Sequence, residues 1–105
     1  LYKYAYKKSS SWTIVSTDYT SGYPSIALCL DSGGEPHIAL QAFMGSMKYN
    51  LVNAHYNGSS WENTIVDENT TDINNCSITC NNDNIAIVYE TDEGAMKYAT
   101  KSLNK

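Results

Sequence analysis

An all-β fold built from repeated sheets is what this 105-residue sequence predicts, and three observations predict it. Tyr2-Lys3-Tyr4, Met47-Lys48-Tyr49 and Met96-Lys97-Tyr98 echo one another at offsets of 45 and 49 residues. Lys8-Ser9-Ser10-Ser11-Trp12 is echoed by Asn57-Gly58-Ser59-Ser60-Trp61, with the tryptophans 49 apart. His37-Ile38-Ala39-Leu40 matches Ile85-Ala86-Ile87-Val88 at an offset of 48. A period of roughly 40–50 residues with several short strands per unit points to β-propeller blades. The length amounts to one domain at most, and about two and a quarter such units cannot close a ring alone.

The strands follow in order. Residues 1–8 alternate strictly, with Tyr2, Tyr4 and Tyr6 on one face and Lys3, Ala5 and Lys7 on the other, which is the period of a strand. Ser9-Ser10-Ser11 turns the chain into a β-rich run over 12–17. Gly22 and Pro24 mark 18–25 as a loop. Residues 25–30 set Ile26, Leu28 and Leu30 against Ala27 and Cys29, the small side suiting a strand squeezed near a propeller axis. Asp31-Ser32-Gly33-Gly34-Glu35-Pro36 is a hairpin connection, and strands over 37–43 and 47–56 follow it around a turn at 44–46. Asn57-Gly58 is the strongest short hairpin signal in the chain and leads into a strand over 61–66. Residues 67–75 form a polar loop. Strands over 76–80, 85–90 and 96–100 then repeat the earlier set, with 81–84 shortening the earlier hairpin by two residues.

Labelled from the axis outward, the four strands of one blade are 25–30, 37–43, 47–56 and 61–66. The chain then reads as one propeller segment over 1–105. Residues 1–18 give the third and fourth strands of one blade, 25–67 a complete four-stranded antiparallel blade, and 76–100 the first to third strands of the next. Such a segment needs completion, because isolated it would bare apolar flanks and strand edges. Copies of itself would supply this, three giving six blades, or else the remainder of a longer chain. Three copies of nine strands give 27, three more than the 24 that six blades need, so one strand per chain would be surplus or swapped. A start at Leu1 rather than Met is the start expected of a processed or excised piece.

A formal charge of −4 opposes general affinity for phosphate backbones, so nucleic acid is not an expected partner. No apolar run approaches the ~18 residues a membrane-crossing helix needs. There is no arginine, and all seven lysines lie in the three Lys-Tyr segments. Abundant Asn, Ser, Thr and Tyr suits an exposed, wet β surface of extracellular or cell-surface type.

These residues resemble sialidase-like, BNR-type β-propeller repeats. The resemblance is carried by Ser25-Ile26-Ala27-Leu28, Asp31-Ser32-Gly33-Gly34-Glu35-Pro36-His37-Ile38-Ala39, the Lys-Tyr-Ala segments at 3–5 and 97–99, and Asn57-Gly58-Ser59-Ser60-Trp61. It covers nearly the whole chain and implies four-stranded blades, a commonly extracellular setting and a commonly binding role. Catalytic members of that family use an arginine cluster, a tyrosine nucleophile and carboxylates. With no arginine, and with the aspartate box absent in strict form, sialidase chemistry does not carry over.

Candidate chemistry is sparse. Cys76 and Cys80, on one strand face, lie about 13 Å apart at ~3.3 Å per residue, too far to pair with each other. They occupy the positions of Ile26 and Leu30 and are expected to act as small core hydrophobes. His37 and His55 show no ligand spacing and are expected to be structural; no metal, cofactor or catalytic residue is assigned. Trp12 and Trp61 are equivalent positions, either packing wedges between blades or sugar-stacking platforms. The connections at 18–25, 67–75, 43–46 and 91–95 would emerge on one propeller face. That face would gather Asp18, Tyr19, Tyr23, Phe43, Asp67, Glu68, Asp72, Asp92 and Glu93. Carboxylates that accept sugar hydroxyls and aromatic rings that stack would make a glycan- or protein-binding surface; otherwise it is a solvated acidic rim. Three Asn-x-Ser/Thr matches, at Asn57, Asn69 and Asn75, carry little weight in so Asn-rich a chain. The expected function is non-enzymatic carbohydrate or surface-ligand binding, with a self-assembling scaffold as the alternative.

Overall fold

The computed structural model describes residues 1–19, 26–45, 48–70, 73–91 and 94–103, and the side chains of all of these except 69 and 70. It contains nine strands: β1 (Lys3–Lys8), β2 (Ser11–Ser16), β3 (Ile26–Leu30), β4 (Pro36–Phe43), β5 (Tyr49–Tyr56), β6 (Trp61–Thr70), β7 (Ile73–Asn81), β8 (Asn84–Thr91) and β9 (Met96–Ser102). None of the described residues is helical, so no helix is long and apolar enough to cross a membrane. The strands form three antiparallel sheets in chain order, β1-β2, β3-β4-β5-β6 and β7-β8-β9.

The central sheet is covered on both faces, which is why most of β4 and β5 is buried rather than alternating. On one face Ile38, Leu40, Ala42, Val52 and Ala54 form a cluster against Tyr2, Tyr4, Tyr19 and Trp61. This is the junction with the β1-β2 sheet, tied by Tyr2 Oη donating to the Gln41 carbonyl at 3.2 Å. On the other face Ala39 and Leu51 pack with Ile73, Ile85, Ile87 and Tyr89 of the third sheet, flanked by Cys76, Ile78 and Cys80. Successive sheets are therefore stacked head to tail. Ile85, Ile87 and Tyr89 look back at the sheet before them, as Ile38, Leu40 and Ala42 do.

That facing corrects the repeat register. An offset of 48 would give Ile85 the face of His37. The pairs Leu30↔Pro36 and Cys80↔Ile85 instead make Ile85 the counterpart of Pro36, because the 81–84 connection is one residue shorter than 31–35. A one-residue slip sends every side chain to the opposite face. Asn82, at φ 55°, adopts the left-handed conformation this tight hairpin requires.

Two further expectations are corrected. The polar stretch 67–75 is not wholly a loop: β6 runs on to Thr70 through register shifts against β5, and β7 already begins at Ile73. Ile73 is buried, and its backbone N–H donates to Gln41 Oε1 at 2.7 Å, so backbone pairing overrides the polar composition. Cys80 is not a free core residue either. It forms a disulfide with Cys29, with Cα atoms 5.8 Å apart across a sequence separation of 51. Head-to-tail stacking brings the small-residue face of β3 against the face of β7 that carries Cys76, Ile78 and Cys80. Cys76 lies outside the disulfide, half-buried against the core as expected, with Sγ 3.7 Å from the Ala39 carbonyl.

Candidate functional site

The described residues singled out in the sequence do not gather at one place. Trp61 is a wedge between sheets: its Nε1 donates to the Ser16 carbonyl at 2.9 Å, and its ring lies 6.4 Å from Tyr4, edge-on, and 4.9 Å from Tyr56. Trp12, the equivalent position on β2, is 65% exposed. Asp18 accepts from Asn63 Nδ2 at 3.0 Å, joining the first sheet to the second. Asp67 accepts from Tyr89 Oη at 2.7 Å and faces Lys97 Nζ at 3.6 Å, joining the second sheet to the third. Burial, then the hydrogen bond to Asp67 and its charge, push the Tyr89 hydroxyl up to about 12. Asp18 and Asp67 thus serve different junctions. Tyr19 is half-buried on the Ile38–Leu40 cluster, Glu68 is exposed on β6, and Phe43 is about half exposed with its ring 5.5 Å from Tyr49. Tyr23, Asp72, Asp92 and Glu93 lie outside the described residues.

The densest polar cluster lies elsewhere, at the end of the central sheet where β3 turns into β4. The register of β4 on β5 places His37 directly across from His55, and their rings stack at 4.2 Å with planes 10° apart. Asp31 organises the connection before β4. Its Oδ1 accepts from the backbone N–H groups of Gly33 and Glu35, each at 3.0 Å, and its Oδ2 lies 2.8 Å from His37 Nε2. Burial raises the Asp31 pKa, but the bonds from His37, Glu35 and Gly33 and the attraction of His37 outweigh it and hold the carboxyl below its ordinary value.

His55 Nε2 lies 2.6 Å from Glu35 Oε1 and 3.9 Å from Asp31 Oδ2, while its Nδ1 faces Glu62 Oε1 at 3.2 Å. Behind His37, Asn53 Nδ2 is 3.4 Å from Nδ1. Asn53 Oδ1 is buried and has no hydrogen-bond partner. A cleft of about 550 Å³ opens over the histidines, with Lys101 and Leu103 on its far wall. No ligand spacing in the sequence marks this group, yet one signal does. β4 and β5 are consecutive hairpin strands, and the two histidines fall one on each, at 37 and 55, paired in register. Neither a family model, nor a curated protein, nor a solved structure matches this chain.

Proposed function

We propose that the chain is a non-enzymatic β-propeller segment of about two and a quarter blades, whose work is to assemble with further blades into a scaffold. One observation carries this reading. Ile26, Leu28 and Leu30 of β3 are exposed by 46, 52 and 54%, whereas their repeat counterparts Cys76, Ile78 and Cys80 are half-buried on the neighbouring sheet. The difference follows from strand count. The central sheet has a β3 for β7 to cover, while the two-stranded first sheet offers β3 nothing. The outer faces at both ends repeat the pattern, with Trp12 and Ile14 bare on the first sheet and Met96 and Tyr98 bare on the third. Apolar surface of this extent marks an interaction face. Copies of the chain, three of them in the simplest ring, or the rest of a longer polypeptide would cover it. The Cys29–Cys80 disulfide fits an oxidising, extracellular or cell-surface setting.

Size-exclusion chromatography with light scattering tests the proposal, alongside binding of a dye that fluoresces on apolar surface. A trimer overlooks no bare face and should leave the dye dark; a monomer that binds the dye points to completion by a longer chain. A monomer that leaves the dye dark overturns the reading. A second reading, glycan recognition on the loop face, is favoured by Phe43 and Met44, both about half exposed beside Tyr49. A glycan array with the Phe43→Ala variant as control tests it, and silence of the wild type on the array removes it.

A further inference from the structure

We infer that Asp31, His37 and His55, with Glu35 within reach as a fourth ligand, form a binding site for a divalent transition metal of the zinc class. Among the described residues these first three bring one ligand atom each within 4.8 Å of one another. Tetrahedral zinc bonds of about 2.0–2.1 Å separate neighbouring ligand atoms by about 3.3 Å. The separations of 2.8 Å for His37 Nε2 to Asp31 Oδ2 and 3.9 Å for His55 Nε2 to Asp31 Oδ2 bracket that value. The ring planes are nearly parallel, so both Nε2 atoms point to the same end, toward the Asp31–Glu35 connection, with their lone pairs side by side; holding one ion requires the rings to tilt toward each other. Two imidazole nitrogens with carboxylates select zinc-like ions over calcium or magnesium, which take oxygen ligands.

The surroundings of the histidines carry the inference furthest. A histidine that ligates through Nε2 carries its proton on Nδ1 and needs an acceptor there. His55 has one in Glu62 Oε1, at 3.2 Å. His37 faces the Asn53 amide, whose oxygen is the one buried side-chain atom without a partner among the described residues. Asn53 is itself 7% exposed. Turning that amide by half a revolution, which exchanges atoms alike in size, points Oδ1 at His37 Nδ1. The orphaned oxygen then accepts the proton that metal binding shifts from Nε2 to Nδ1. Without metal, Nε2–H donates to Asp31 and Nδ1 accepts from the amide nitrogen, so the ion and the tautomer exchange together. The cleft beside the cluster supplies a route in and room for a water ligand.

The chain has only two histidines, so imidazole nitrogen resonances report the site without any substitution. Protein stripped of metal by chelator is titrated with Zn²⁺ alone, by calorimetry and by ¹⁵N NMR. The expected result is one equivalent bound, with both imidazoles moving to the Nδ1–H tautomer and cobalt(II) giving the visible absorption of a tetrahedral complex. His55→Gln, at a half-buried position, should weaken Zn²⁺ binding more than tenfold, and Asn53→Leu by about 10–100-fold. Circular dichroism of both variants establishes that they fold. Absence of Zn²⁺ binding, binding that leaves the imidazole resonances unmoved, or equal displacement by Mg²⁺ would each overturn the assignment. His37 and His55 would then be a hydrogen-bonded clamp only.

Discussion

The two junctions on either side of the central sheet use corresponding faces, but they are built to different extents. Between the second and third sheets, four strands meet three, and a disulfide fastens β3 to β7. Between the first and second, only two strands meet four, and the contact rests on tyrosines, Trp61 and the bond from Asn63 to Asp18. Repeat-equivalent residues consequently sit in unlike surroundings. Trp61 is wedged while Trp12 is bare, and Ile78 is covered while Leu28 is not. Position in a repeat sets what a side chain offers, and the neighbouring sheet decides whether it is used.

The comparison can be broken first at its covalent link. Opening the Cys29–Cys80 bridge, by reduction or by Cys29→Ser with Cys80→Ser, frees a loop of 51 residues and is expected to cost about 4 kcal/mol. Thermal unfolding with and without reductant measures it, and an unchanged midpoint would mean that packing alone holds the second junction. Paired substitutions sharpen the contrast next. Trp61→Ala is expected to cost about 2 kcal/mol, less than a fully buried indole, and Trp12→Ala under ~0.5 kcal/mol in the monomer. Denaturant midpoints of the two variants decide it. Equal losses would show that something already covers Trp12.

A third test concerns pH. Tyr89 titrates near 12 in the folded protein and near 10 when unfolded, so its neutral form is favoured by folding. The stabilisation is whole below about pH 10 and is lost as the pH rises through the folded value. Tyr89→Phe should flatten this alkaline limb and cost about 1 kcal/mol at neutral pH, where the bond to Asp67 is removed. A limb that persists in the variant would assign it to another group.

Much of this architecture is legible in the chain. The alternation over 1–8, the Ser-Ser-Trp echoes and the turns read at 9–11, 31–36 and 57–60 locate strands that the structure contains, to within a residue. What was not legible depends on relations between sheets. The face of β8 turns on a hairpin one residue shorter than its repeat, a difference smaller than the match itself reveals. The partner of Cys80 could be found only by knowing that β7 lies over β3. Residues 67–70 looked like a loop because they are polar, yet a strand bonded through its backbone tolerates polar side chains. His37 and His55 had no linear motif, since antiparallel pairing rather than spacing brings them together.

The lysines have a consequence for how this molecule meets others. Five of the seven lie in β1 and β9, the terminal strands, each paired on one side only. Cationic borders repel one another, so two copies are discouraged from zipping β1 to β9 into an open fibril. The strand that β9 would welcome carries the opposite sign. Within the central sheet that role falls to β6, whose Glu62, Asp67 and Glu68 line up beside β5. Charge at these edges would thus favour an acidic neighbouring strand over a basic one.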